Sequence, residues 1–136
     1  MITRTVFGVS MALMVLATSP ALSGSCPNIT ALEQFSQGET PPDGALCARF
    51  ATPSGRTGTS CHWSFAYRAE HAESFAAEMW DILKSCRPGQ VNQPDRTVNH
   101  PDSYVPRSWQ VQDRTYTVSI KDKAQQNRTL VFLRLE

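Results

Sequence analysis

The sequence has no hydrophobic run long enough to form a membrane-spanning helix. Its longest apolar stretch, residues 6–17, has about twelve residues, whereas a helix needs about 20 to cross a bilayer. Arg4 precedes this stretch, and the small residues Ala21 and Ser23 follow it. A positive start, a short apolar core and a small-x-small cleavage pattern are typical of a secretory signal peptide. We therefore predict that residues 1–23 are removed after Ser23, which leaves an exported protein, periplasmic or extracellular, without a stable membrane anchor.

The sequence also lacks a large excess of charge of either sign. The whole chain has 13 lysine and arginine residues against 12 acids, and Arg4 is the only charged residue of the predicted signal peptide. Residues 24–136, enough for one compact domain, therefore have a formal net charge of zero with neutral histidines. A nucleic-acid-binding protein needs a basic surface to meet phosphates, so this balance argues against nucleic acid as a partner.

Zinc-binding cysteine pairs are absent as well. Zinc sites usually include two cysteines separated by two to four residues, but consecutive cysteines here are 21, 14 and 25 positions apart. An even number of cysteines in a small exported domain is instead typical of a disulfide framework. We predict two disulfides among Cys26, Cys47, Cys61 and Cys86.

Catalytic sequence patterns are missing too. The sequence contains no glycine-rich phosphate loop, no H-E-x-x-H zinc motif and no G-x-S-x-G elbow around a serine. Disulfide formation would also remove the cysteines from thiol chemistry. The candidate bases are His62, His71 and His100, and none of them stands in a recognised catalytic pattern. We therefore predict no cofactor, no metal site and no catalytic residues, and the sequence favours a binding protein over an enzyme.

What the sequence does contain is a strand followed by a long amphipathic helix. Residues 60–68 alternate between aromatic and mostly small or polar side chains, which indicates a half-buried strand. Apolar residues then recur at helical spacing and form one stripe: Ala72, Phe75, Ala76, Met79, Ile82, Leu83 and Cys86. The Pro-Gly pair at residues 88–89 ends this helix. Because the stripe needs an apolar partner, Trp63, Phe65 and Tyr67 are interpreted as core rather than as a stacking platform.

The lengths of these two elements also suggest a disulfide pairing. The strand is about 23 Å long at ~3.3 Å per residue, and the helix is about 24 Å long at ~1.5 Å per residue. A helix that folds back over the strand therefore ends near the strand's start. This arrangement predicts a bridge between Cys61 and Cys86, and it leaves Cys26 to pair with Cys47.

The remaining predicted elements complete an α+β fold. Residues 28–35 fit a short helix, and residues 45–52 fit a strand. Three further strands are predicted around residues 109–111, 116–120 and 129–135, and the last is apolar on both faces and therefore central. The predicted fold is an antiparallel β-sheet in the order β-β-α-β-β-β, with one long helix packed on one face.

A long segment between the helix and the late strands has no predicted regular structure. Residues 89–107 contain three prolines, and loops of such length in compact domains are usually functional or disordered. Two interpretations stay open: a crossover held by local turns, or a recognition loop. The candidate ligand-binding residues are Asn99, His100, Asp102 and Tyr104 in this segment and Trp80 at the flank of the helix stripe. Trp80 has a second interpretation as a cover for the edge of the core.

Two functions from different classes follow from these observations. The favoured hypothesis is a small exported, non-catalytic binding or inhibitor-type protein that engages a protein or cell-envelope ligand. Its ligand would contact the outer sheet face or the segment at residues 89–107. The alternative is a small exported hydrolase or metal-dependent enzyme centred on His100 and Asp102, with His62 as a further candidate.

Overall fold

The computed structural model describes residues 26–35, 37–92 and 102–136. Within these ranges, the chain forms two helices and six strands. They are α1 (Pro27–Phe35), β1 (Leu46–Ala51), β2 (Thr57–Ala66), α2 (Glu70–Cys86), β3 (Gln90–Asn92), β4 (Tyr104–Val111), β5 (Arg114–Lys123) and β6 (Arg128–Leu135), with one 3-10 turn at Ala124–Gln126. The predicted signal peptide lies outside the described residues, and its cleavage stays a prediction. No helix in the described ranges is long and apolar enough to cross a membrane.

The six strands pair antiparallel in one sheet, in the order β1-β2-β6-β5-β4-β3. Both helices pack on one face of this sheet, which we call the inner face, and the opposite face is the outer face. β6 lies between β2 and β5, which confirms the predicted central position of the last strand. Val131, Leu133 and Leu135 are buried on its inner side and Leu130 on its outer side, so the strand reads as a continuous apolar run.

α2 lies against the inner face, as its sequence predicts. Acidic residues occupy the first turn and Lys84 lies in the last, an order that suits the helix dipole. The apolar stripe turns toward the sheet, with Ala72 and Leu83 fully buried. The backbone N–H of Arg87 donates to the carbonyl of Leu83 at 3.0 Å, and Pro88 has no N–H with which to continue the helix.

The core lies between the two helices and the inner face. Ile29 and Leu32 of α1 are fully buried in the same cluster as Trp63 of β2. Phe75 of α2 packs on Trp63 and Phe65, with ring centroids 5.2 and 5.3 Å apart. Trp63 and Phe65 therefore belong to the core, as predicted, rather than to an open stacking platform.

Two disulfides are formed, but their pairing differs from the prediction. Cys26 is bonded to Cys86, and Cys47 is bonded to Cys61. The predicted bridges, from Cys61 to Cys86 and from Cys26 to Cys47, are therefore wrong. One bridge joins the start of α1 to the end of α2, and the other joins the neighbouring strands β1 and β2.

The wrong pairing comes from the register of the β1–β2 hairpin. The sequence predicts one strand up to residue 52 and the next from residue 60, but β2 begins at Thr57, and Thr57 pairs with Ala51. This shorter connection brings Cys47 directly opposite Cys61, with their Cα atoms 4.0 Å apart. Side chains that lie opposite each other on paired strands share a face and meet. Cys86 at the end of α2 then pairs with Cys26, which precedes α1.

The observed order of elements is α-β-β-α-β-β-β-β rather than β-β-α-β-β-β. An antiparallel α+β fold with a long helix on one face is confirmed. The prediction omitted α1 from the order and did not include β3. It also ended the loop at residue 107, whereas β4 begins at Tyr104.

β3 joins the edge of the sheet within the predicted loop. Its three residues are all exposed, and three residues are too few for a period-two pattern to identify a strand. The chain reaches this edge through Gly89, where an added Cβ would lie 2.3 Å from the backbone oxygen of Gln110. The indole N–H of Trp109 donates to the carbonyl of Arg87 at 2.9 Å. This hydrogen bond holds the segment before β3 against β4.

Candidate functional site

The outer face is not covered by either helix, and it presents a polar and aromatic surface. Its membership follows from the strand register, since side chains alternate between the two faces and Cys61 and Leu133 point inward. Its central side chains are Phe50 of β1, Ser60 and His62 of β2, Arg128, Phe132 and Arg134 of β6, Ser119, Lys121 and Lys123 of β5, and Tyr104 of β4.

The outer face carries four cations and no acid among the outward-facing residues of the six strands. The cations are Arg128 and Arg134 of β6 and Lys121 and Lys123 of β5. Within the described part of the chain, no carboxylate lies within 4.0 Å of Lys121, Lys123 or Arg134. Among the described residues, these three positive charges are therefore not neutralised by an ion pair.

On the opposite side of the sheet, α2 has an excess of acidic residues. α2 carries the exposed acids Glu70, Glu73, Glu78 and Asp81 against one lysine. The balanced charge of the sequence thus conceals a separation, with a basic sheet face and an acidic helix. A field of one sign over a surface attracts and orients ligands of the other sign.

The middle of the outer face is concave. A hollow of about 410 Å³ is lined by Phe50, Ser60, Tyr104, Ser119, Lys121, Phe132 and Arg134. Ser119 is almost fully buried, and its small side chain forms the floor between larger neighbours. The hollow combines hydroxyl groups, aromatic edges and two cations, which is the mixture that a polar anionic ligand requires.

Phe50 fixes Arg134 at one rim of this hollow. The guanidinium carbon of Arg134 lies 4.3 Å from the ring centroid of Phe50, a distance typical of a cation–π contact. The same ring rests on Gly58, where an added Cβ would approach the ring to 2.3 Å. A stacked guanidinium keeps its N–H donors at its edge, where they can meet an oxyanion in a fixed geometry.

His62 lies beside the hollow and packs against Phe132, with ring centroids 5.3 Å apart. Its side chain points away from the helices, because its neighbours Cys61 and Trp63 point inward. Burial first, and the positive charge of Arg128 second, lower the pKa of His62 below its ordinary value of 6.5. The imidazole is therefore neutral near neutral pH and does not contribute to the basic character of the face.

Of the two loop candidates that the structure describes, one lines the hollow. Tyr104 does so from the first position of β4. Asp102 lies just before that strand, and its Oδ1 accepts the backbone N–H of Ala124 at 2.8 Å. Asn99 and His100 lie outside the described residues, so their role as ligand-binding residues stays a prediction.

Trp80 lies mostly in the core, and its remaining edge lines a hollow of about 360 Å³ beside β3 and β4. Its side chain is 8% exposed and meets Trp109 edge-on, with ring centroids 5.9 Å apart. The amino group of Lys84 lies 5.7 Å from the Trp80 ring centroid and covers part of the remaining edge. Its burial agrees with the second interpretation of Trp80, a cover for the edge of the core, and its role as a ligand-binding residue stays a prediction.

A buried carboxylate lies near the start of β4, and its contacts serve the fold. Asp122 accepts hydrogen bonds from the hydroxyls of Thr129 and Ser103 at 2.6 and 2.7 Å and from Nε of Arg68 at 3.1 Å. Burial alone would raise the pKa of Asp122, but these three hydrogen bonds lower it below 3.8. The ionised carboxylate joins β5, β6, the turn after β2 and the residue before β4.

The described ranges contain no group of three histidine, cysteine, aspartate or glutamate side chains that could hold a metal ion. The enzyme alternative therefore rests on His100, which lies outside those ranges, and on Asp102, whose carboxylate binds a backbone N–H. Neither observation assembles a nucleophile with a base.

A second hollow, of about 350 Å³, lies on the inner side between α2 and β4. Its walls are mostly apolar, with Ala76, Val105 and Ile120 among them. Glu73 and Arg107 also line it, so its charges are balanced. This hollow therefore does not indicate whether a ligand would be positively or negatively charged. The outer face is the better-defined candidate site.

Comparison with known proteins does not assign the chain to a family: no protein-family model matches it, and no curated protein matches it. The chemistry of the outer face is therefore the basis on which a function can be proposed.

Sequence reasoning missed Phe50, Lys121, Phe132 and Arg134. The alternation of Arg128, Leu130, Phe132 and Arg134 in β6 is a period-two signal that could have placed these side chains on one face. Their neighbours on β1 and β5 become visible only once the strand order is known.

Proposed function

We propose that this protein is an exported, non-catalytic binding protein whose outer sheet face engages the negatively charged surface of a protein or cell-envelope component. The observation that carries this proposal is the outer face itself. It has four cations, no outward-facing acid on the described strands, and a hollow with Lys121 and Arg134 at its rim. Side chains kept basic and unpaired on one face favour recognition of an anion.

Export is supported by two independent features of the chain. The first 23 residues have the order of a signal peptide, with Arg4, a short apolar run and small residues at the cleavage site. All four cysteines outside that segment are joined in disulfides, which persist in oxidising compartments and are rare in the cytosol. The periplasm and the extracellular space both satisfy this requirement.

A non-catalytic role is supported by the way in which the titratable groups are used. The carboxylate of Asp122 contacts three donors that belong to the fold. The imidazole of His62 packs against Phe132. Neither group forms the hydrogen-bonded pair of nucleophile and base that acyl or phosphoryl transfer needs.

Binding to an isolated envelope fraction tests the proposal. Residues 24–136 with intact disulfides are mixed with the envelope fraction of the producing organism, and the bound protein is measured by sedimentation. A variant with Lys121→Ser and Arg134→Ser should bind about 25-fold more weakly, because each of the two surface charge contacts is worth up to about 1 kcal/mol. A matched control with Arg49→Ser and Arg107→Ser removes the same charge from inward-directed positions and should bind like the unsubstituted protein.

Two results would overturn the proposal. Equal binding by the outer-face variant and the matched control would show that the outer face is not the contact surface. Loss of binding in an Asn99→Ala, His100→Ala variant, with full binding by the outer-face variant, would place recognition in the segment at residues 89–107 instead.

A further inference from the structure

The cations of the outer face form a track along the strands rather than a single cluster. Arg128 and Arg134 are both outward-facing on β6 and lie six residues apart, which is about 20 Å at ~3.3 Å per residue. Lys123 lies opposite Arg128 in the neighbouring strand, and Lys121 lies opposite Leu130. A ligand that meets all four must carry its negative charges along an extended chain.

Both phenylalanine side chains of this track are already in contact with other groups. The guanidinium of Arg134 covers the ring of Phe50 at 4.3 Å, and His62 packs on Phe132 at 5.3 Å. Single-stranded nucleic acids bind to proteins by stacking bases on open aromatic faces. Since Phe50 and Phe132 are engaged, they act as supports for polar groups rather than as platforms for bases.

Hydroxyl groups fill the space between the cations. Ser60, Ser119 and Tyr104 line the hollow, and Ser108 and Thr117 bond to each other at 3.0 Å on the adjoining part of the face. A hydroxyl both donates and accepts hydrogen bonds, so it matches the hydroxyls of a sugar. An acidic peptide would more readily add as a strand at a sheet edge, where backbone groups are unpaired.

We infer that the ligand of the outer face is an acidic polysaccharide, a chain of sugars bearing carboxylate or sulfate groups. This inference rests on the proposed function and names the class of its ligand. The chain lies along β5 and β6, with one acidic group bound by Arg134 and Lys121 at the hollow. Phe50 is the positioning residue, because it orients the guanidinium of Arg134. The next acidic groups meet Lys123 and Arg128.

The test is a binding titration of residues 24–136 with defined polymers. Polygalacturonate supplies carboxylates and dextran sulfate supplies sulfates. The polymer that binds more tightly therefore shows which acidic group the outer face prefers. Neutral dextran, poly-L-glutamate and an oligodeoxythymidylate are the comparison polymers. We expect binding to at least one acidic glycan, no binding to dextran, and more than about tenfold weakening between ~50 and ~200 mM salt.

Substitutions then locate the contact. Arg134→Ala and Lys121→Ala should each weaken binding about fivefold, whereas Arg107→Ala on the inner side should change it less than about twofold. Arg134→Lys keeps the positive charge but loses the planar guanidinium group with its paired N–H donors. Phe50→Leu keeps an apolar contact with Gly58 but loses the aromatic ring. Both should bind more weakly than the unsubstituted protein while the melting temperature of Arg134→Lys stays within about 2 °C of it.

Three outcomes would overturn the inference. They are the absence of binding to both acidic glycans, tighter binding to poly-L-glutamate or the oligodeoxythymidylate than to either glycan, and equal losses for Arg107→Ala and Arg134→Ala. If no acidic glycan binds while binding to the envelope fraction still depends on Lys121 and Arg134, this inference fails and the proposed function stands. If no acidic glycan binds and binding to the envelope fraction does not depend on Lys121 and Arg134, the inference and the proposed function both fail.

Discussion

The carboxylate of Glu33 in α1 accepts two hydrogen bonds, of 2.8 and 3.0 Å, from the guanidinium of Arg87, 54 residues later in the chain. The hydroxyl of Tyr116 donates a third to the same carboxylate at 2.7 Å. Together with the bridge between Cys26 and Cys86, these contacts fasten α1 to the end of α2 and to β5. Burial alone would raise the pKa of Glu33, but the hydrogen bonds from Arg87 and Tyr116 lower it below 4.5.

Replacing Glu33 with glutamine should therefore destabilise the protein in a pH-dependent way. Because the folded pKa lies below the unfolded one, the ionised carboxylate stabilises the fold above about pH 4.5, and this contribution is lost as pH falls through the folded pKa. We expect Glu33→Gln to lower the free energy of unfolding by about 2 kcal/mol near pH 7 and by much less near pH 3. Urea unfolding at both pH values measures the difference.

The matched control for this experiment is Tyr116→Phe. Burial, and then the hydrogen bond to Glu33, raise the pKa of Tyr116 to about 12, so its hydroxyl stays protonated at both pH values. Its removal should cost about 1 kcal/mol near pH 7. An equal loss for Glu33→Gln at both pH values would contradict the ionic interpretation.

The disulfide pairing gives a second prediction. Digestion without reduction, followed by mass spectrometry, should yield one linked peptide pair containing Cys26 and Cys86 and another containing Cys47 and Cys61. The chain-entropy model assigns about 4 kcal/mol to the 60-residue separation and about 3 kcal/mol to the 14-residue separation. Removing the longer bridge by Cys26→Ala with Cys86→Ala should lower the free energy of unfolding accordingly. A peptide linking Cys26 to Cys47 would refute the pairing.

Asp122 supports a third prediction, about the junction of β5, β6 and the start of β4. Its side chain is 8% exposed, and Asp122→Ala would leave Thr129, Ser103 and Arg68 each without this acceptor. We expect a loss of about 3 kcal/mol in unfolding free energy. Ser103→Ala removes one donor and should cost about 1 kcal/mol. Equal effects of the two substitutions would show that the carboxylate does not organise the junction.

His62 supports a fourth prediction, on stability in mild acid. Its pKa in the folded protein lies below 6.5, so the unfolded chain takes up the proton first and the fold loses stability as pH falls below about 6.5. The melting temperature should therefore fall more between about pH 7.5 and about pH 5 than it does in His62→Gln. An NMR titration giving a pKa of 6.5 or above for His62 would contradict this expectation.

The elements that could be predicted are those whose apolar residues recur with a regular helical or strand spacing. The stripe from Ala72 to Cys86 identifies α2, and the alternation from Cys61 to Phe65 identifies β2, because each pattern depends only on neighbours in the sequence. The apolar character of β6 on both faces likewise located it at the centre of the sheet. β3 had no such pattern, since its formation depends on pairing with β4.

The disulfide pairing and the binding face could not be read in the same way. A start of β2 at Thr57 instead of residue 60 changes which β1 residue lies opposite Cys61, and no local pattern fixes that start. The hollow is assembled from Phe50, Lys121 and Arg134 on three different strands. These residues meet only because β6 lies between β2 and β5. That strand order depends on pairing between distant segments, so no local sequence pattern predicts it.

The two bridges of the fold are nested, with Cys47 and Cys61 enclosed between Cys26 and Cys86. In the exported protein that we propose, the cysteines leave the translocation channel in chain order, so Cys26 and Cys47 meet the oxidising compartment first. Oxidation of the first two thiols to appear would join the wrong pair. Correct maturation therefore requires either that Cys26 stays reduced until Cys86 has followed it, or that thiol–disulfide exchange reshuffles an early bridge.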